Sequence, residues 1–134
     1  MILIHNKTGA VGMVHVALPD SSIDRSNKAK TKPGFFADTG IPALLNCMNS
    51  IGCSGPVSNG NFTVKMAGGA SVLACNDMFK IGKRNAYTLK GVLEKYGLKI
   101  NAAHVGGNFS RTVSVEAGTG KIILTSPGRG EWTL

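Results

Sequence analysis

The residues able to do chemistry here are few. The chain has three cysteines, Cys47, Cys53 and Cys75, and three histidines, His5, His15 and His104. A thiolate is the strongest nucleophile a side chain offers, and a nearby imidazole can lower the thiol pKa and then protonate a leaving group. The odd cysteine count and the absence of metal-ligand spacing point to free thiols in a reducing compartment. Each cysteine taken alone reads as a small buried hydrophobe.

Three glycine clusters could supply backbone N–H groups. They are Lys65-Met66-Ala67-Gly68-Gly69-Ala70-Ser71, Ile81-Gly82-Lys83-Arg84-Asn85 and Val105-Gly106-Gly107-Asn108-Phe109-Ser110-Arg111-Thr112-Val113. Paired glycines permit positive φ and close backbone approach, and a helix start can hold an anion or an oxyanion. None of the three has the spacing of a P-loop or of a dinucleotide fingerprint. Taken singly, each reads as a tight turn.

These residues need elements to position them. Residues 1–4 read as a strand, and residues 10–18 as a second one with Met13, His15 and Ala17 on one face and Val14, Val16 and Leu18 on the other. Residues 20–34 are polar and basic and read as a mobile surface loop. Ala37, Ile41, Leu44, Leu45, Met48 and Ile51 recur at helical spacing, with Asp38 as cap, Pro42 in the first turn and Gly52 as stop. Gly55-Pro56 and Asn59-Gly60 mark turns, and Phe62, Val64 and Met66 alternate as a strand. A second helix runs from about Lys83 to Tyr96, with an apolar face of Ala86, Leu89, Val92, Leu93 and Tyr96, and Leu98 packs back over Gly97. Leu98 to Ala103 reads as a strand, and Arg111 to Leu124 as a hairpin turning at Gly118-Thr119-Gly120. The expected order is β, β, α, β, α, β, β, β, an α+β layered domain over residues 1–125, with a flexible, glycine-rich tail over 126–134 in which Trp132 is a candidate to dock.

Composition narrows the function classes. The chain has 134 residues, 43% of them apolar, and a net charge of +8. That suits one domain with a modest core, and disorder is not expected. No apolar run approaches the ~20 residues of a membrane span. The start, Met1 to Lys7, does not have the form of a signal peptide, so a cytoplasmic protein is the default. The basic residues fall in two groups, Arg25 to Lys32 and Lys80 to Lys99, without interleaved aromatic residues, which argues against a single-strand stacking platform. An acidic partner fits the charge.

Read in order, the segments resemble one family. His15-Val16-Ala17-Leu18-Pro19-Asp20 is similar to its His-x-x-Leu-Pro segment. Phe36-Ala37-Asp38 is similar to its Tyr-Ala-Asp helix start, with Phe36 in place of Tyr. Gly68-Gly69-Ala70, Ile81-Gly82-Lys83-Arg84-Asn85, Gly106-Gly107-Asn108 followed by Arg111, and Thr119-Gly120-Lys121 match the rest. The family is CheD, the chemoreceptor glutamine deamidases, and the resemblance runs from residue 2 to about residue 125.

The resemblance implies a fold with β-sheets packed under helices, similar to the catalytic domain of deamidating toxins. It implies conversion of specific glutamines of methyl-accepting chemotaxis receptors to glutamate by a Cys thiolate, a His that manages protons and a Thr that orients it. It places the catalytic His at His15 and implies no cofactor and no metal. His5 and His104 match no family role and are expected at the surface or behind the site. The family's Gly-Ser-Cys segment and its Thr lie ahead of Ile2, and none of Cys47, Cys53 or Cys75 stands at a matching position. The 134 residues as given are therefore expected to be inactive. Two readings follow: a longer native chain that is an enzyme, or a short form that serves as a binding module pairing with a CheC-type phosphatase. Receptors are the expected partners, with neither nucleic-acid binding nor membrane insertion.

Overall fold

A computed structural model describes residues 1–53, 60–72 and 80–134. Cys75 and the Gly55-Pro56 turn lie outside the described residues. The strands are β1 (Ile2–His5), β2 (Val11–Met13), β3 (Phe62–Gly68), β4 (Ile100–Val105), β5 (Thr112–Val115), β6 (Ile122–Ser126) and β7 (Gly130–Thr133). The helices are α1 (Lys28–Thr31), α2 (Ala37–Ser50) and α3 (Ile81–Lys95).

Two sheets form. One has four strands in the order β2-β1-β3-β4, and the other three in the order β5-β6-β7. In the first, β1 runs antiparallel to both β2 and β3, whereas β3 and β4 are parallel. A parallel pair needs a crossover, and α3 supplies it between β3 and β4.

The period of two in β1 explains the layering. Leu3 faces a core with Ile41, Leu44 and Met48 of α2, Leu89 and Leu93 of α3, and Val64 and Met66 of β3. Ile2 faces the other way, into a second core with Ile122 and Leu124, against which Ile4 and Trp132 also pack. The four-stranded sheet is thus covered by helices on one face and by the small sheet on the other, an α+β architecture.

Helix α3 buries the i, i+4 pair Leu89 and Leu93, with Ala86 and Val92 partly buried beside them. Gly97 then turns left-handed at φ 70°, and Leu98 N–H donates to Leu93 O at 2.9 Å, so that Leu98 is buried under the helix end. That is the stop expected of a helix closed by glycine and a following apolar residue.

Several local expectations change. β2 ends at Met13, because Ala17 and Leu18 N–H leave the sheet to donate to Phe35 O at 2.9 and 3.0 Å. The 20–34 segment contains short 3-10 turns at Ser21–Ile23 and Pro33–Phe35 around α1. Asp38 is inside the first turn of α2, where its carboxylate accepts Ser21 Oγ at 2.6 Å, and Phe36 holds the cap position. Pro42 falls in the second turn of α2, not the first. Ile51 and Tyr96 are exposed, since each lies past the last turn of its helix. Residues 126–134 do not trail as a tail. Gly130–Thr133 pairs with β6, Leu134 N–H donates to Ile122 O at 3.0 Å, and Trp132 packs on the second core.

Candidate active site

His15 sits two residues beyond β2. Val14 beside it is buried and exchanges hydrogen bonds with Met1: Val14 N–H donates to Met1 O at 3.0 Å, and the Met1 amino group donates to Val14 O at 2.8 Å. Because extended chain alternates its side chains, burying Val14 turns His15 outward, and both Met13 and His15 are exposed. Two further ties hold the segment. Phe35 O takes the Ala17 and Leu18 N–H groups, and Asn85 Nδ2 on α3 donates to Ala17 O at 3.1 Å.

His15 lines a cavity of about 100 Å³. Met1 stands in its wall at the leading end of β1, Gly68 and Gly69 at the end of β3, and Gly82, Asn85 and Leu89 along α3. Those last three are spaced as one helix face.

The three glycine clusters meet at this cavity. A Cβ on Gly82 would stand 2.4 Å from Gly69 O, and one on Gly69, which has φ +63°, would stand 2.9 Å from Gly82 O. The start of α3 and the end of β3 therefore touch backbone to backbone, which only paired glycines permit. Gly106 N–H donates to Gly68 O at 2.8 Å and Ser71 N–H to Gly107 O at 2.9 Å, tying in the third cluster. Arg111 braces that cluster: Nη2 donates to Gly106 O at 2.7 Å and Nε to His104 Nδ1 at 2.7 Å. A neutral His104 thus carries its proton on Nε2. Arg111 and Arg129 each stack on Phe109 with the guanidinium carbon 4.2 Å from the ring centre. Burial, and then the charge of Arg129, lower the Arg111 pKa.

This contact gives a stability prediction. Gly82→Ala should destabilise the chain by about 2–3 kcal/mol, because two backbones must separate to admit one methyl group. Urea unfolding of the two forms checks it. A loss under ~0.5 kcal/mol, the range of ordinary surface changes, would show that the two segments part freely.

The other described chemistry-bearing residues lie elsewhere. His5 is 4% exposed, so of its two expected placements, at the surface or behind the site, the first does not hold. Period two in β1 puts it on the face of Leu3, where its ring meets Phe62 at 5.1 Å. Its Nδ1 is 2.8 Å from Thr8 Oγ1, which in turn is 3.4 Å from Cys53 Sγ. Cys53 is buried, as a structural thiol should be, whereas Cys47 on α2 is exposed. Neither lines the His15 cavity. His104 is partly buried between Arg111 and Trp132, whose ring lies 5.2 Å away. Among the described residues, no group of three His, Cys, Asp or Glu side chains could hold a metal ion. No described helix is long and apolar enough to cross a membrane.

Fold and cavity together define a layered α+β protein with a glycine-walled, histidine-bearing site. A family model described as CheD chemotactic sensory transduction matches residues 17–126. A relative from Syntrophotalea carbinolica named probable chemoreceptor glutamine deamidase CheD is 46% identical, over 92% of this chain and 74% of its own length. One of the same kind from Syntrophus aciditrophicus is 43% identical over 87% of this chain and 70% of its own length. Another, from Methanococcus maripaludis, is 34% identical over 92% of this chain and 76% of its own length. The chain belongs to the CheD family.

Proposed function

We propose that this protein works as a glutamine deamidase on specific glutamines of chemotaxis receptors in the cytoplasm, with His15 as its catalytic imidazole. The observation that carries this reading is the placement of His15: exposed, tied at its flanks, and lining the cavity where all three glycine clusters meet. Family membership supplies the reaction class.

The chemistry runs in two stages. A thiolate adds to the side-chain amide carbon, forming a C–S bond, and His15 gives a proton to the nitrogen as the C–N bond breaks and ammonia leaves. Water then adds to the thioester with His15 taking its proton, and the C–S bond breaks to give the carboxylate and a restored thiol. A nucleophile on a segment ahead of Ile2, as the family resemblance implies, would enter beside His15, since Met1 lines the cavity. Backbone N–H groups at the start of α3, where Gly82 lines the cavity, would serve the oxyanion, a kind of contact that contributes about 3 kcal/mol in other acyl transfers.

Receptor docking uses the basic face of α3. Lys80, Lys83, Arg84 and Tyr87 line a cleft of about 530 Å³ with Pro19 and Asp20. The same first turns of α3 also wall the His15 cavity. Lys90 and Lys95 continue the exposed basic face. A long helix rich in Glu and Gln would be drawn along it. Reversing charge at Lys83 and Arg84 should weaken binding of a chemoreceptor cytoplasmic fragment by roughly tenfold, mainly through association rate, and added salt should act the same way. Lys90→Glu with Lys95→Glu should have a smaller effect in the same direction. Surface plasmon resonance at two salt concentrations measures both. Unchanged binding in both double variants would remove α3 as the docking face, and tight salt-sensitive binding to random duplex DNA would favour a nucleic-acid function instead.

A further inference from the structure

Asn85 is left half-satisfied in the wall of the His15 cavity. Its Nδ2 donates to Ala17 O, which fixes the amide orientation, because a carbonyl oxygen can be met only by the N–H end. Its Oδ1 is buried and has no hydrogen-bond partner among the described residues. A buried amide oxygen without a donor is costly, on the order of 1–3 kcal/mol. An unpaired buried acceptor on a residue that lines the His15 cavity invites a donor from outside the protein.

The cavity suits one kind of donor. Its volume of about 100 Å³ is well above the ~10–15 Å³ that one water needs, enough for the group at the end of a side chain. We infer that Asn85 Oδ1 accepts an N–H of the substrate's side-chain carboxamide and so selects glutamine over glutamate. This rests on the deamidase reading above. A primary amide brings two N–H donors, whereas a carboxylate brings only acceptors. The glutamate product therefore turns a charged oxygen toward Asn85 Oδ1 and is expelled. A site built to hydrogen-bond a substrate group rejects the analogue that lacks it.

The test uses the 134-residue chain itself, so it does not depend on turnover. Binding is measured by calorimetry to a chemoreceptor cytoplasmic fragment with glutamine at its methylation sites, and to the same fragment with glutamate there. The unaltered chain should bind the glutamine form at least about tenfold tighter. Asn85→Ala should bring the ratio close to one. Asn85→Asp cannot donate to Ala17 O but keeps an acceptor, so it should retain the preference. A role limited to holding Ala17 would make the Ala and Asp variants behave alike, and that result overturns the inference. Equal binding of both fragments by the unaltered chain overturns it without any variant and leaves the deamidase reading standing. Failure to bind either fragment overturns both.

Discussion

In a form carrying a Gly-Ser-Cys segment ahead of Ile2, His15→Ala should lower the deamidation rate on the order of 10² to 10⁴. The size follows from what the imidazole does: it gives a proton to departing nitrogen and takes one from attacking water. The substitution should not disturb the fold. His15 is exposed, its neighbour Val14 carries the packing, and the segment is held through main-chain atoms of Ala17 and Leu18. The readout is initial ammonia release from a receptor fragment, with thermal unfolding measured alongside. An His15→Ala form that unfolds normally and keeps near-normal turnover would remove the assignment.

The 134 residues alone should release no ammonia above background. The described thiols are badly placed. Cys53 is buried beside Thr8, at the end of β1 away from Met1, and Cys47 is on the outer face of α2. An amide is a weak electrophile, and an imidazole without a positioned thiolate does not open it at a useful rate. Should ammonia appear together with new glutamates in the fragment, a thiol of this chain reaches the cavity, and Cys75→Ala decides whether it is that one.

Much of the frame was legible because it rests on periodicity. Val64, Met66, Leu89 and Leu93 are buried where alternation and helical spacing put them, and Gly97 with Leu98 closes α3 as its residue types require. The direction of His15 also followed from alternation with Val14, even though the ladder ends at Met13. What failed depends on contacts distant in sequence. Trp132 docks on the second core, as its type allows, but the pairing of Gly130–Thr133 with β6 as a strand is not announced by a glycine-rich local sequence. His5 is buried because Phe62 and Thr8 surround it. Asp38 left its expected capping role because Ser21 offers its N–H and hydroxyl across the turn.

The site was legible as a set of clusters but not as a place. Nothing in the spacing of Gly69 and Gly82 says that their backbones touch, and nothing in Ile81-Gly82-Lys83-Arg84-Asn85 says that one end of Asn85 is spent on Ala17 and the other left over. Arg111 looked like part of a glycine turn, and it is the brace that ties that turn to His104 and Phe109. These are consequences of three segments converging, and residue types reveal them only after the fold brings the segments together.

The most direct measurement is the mass of the receptor fragment's glutamine peptides after incubation with the Gly-Ser-Cys-bearing form, with its His15→Ala variant run in parallel. Particular glutamines should gain the mass difference between amide and acid in the first sample and stay unchanged in the second. Glutamines that remain intact in both samples, although the fragment binds, would contradict the deamidase reading.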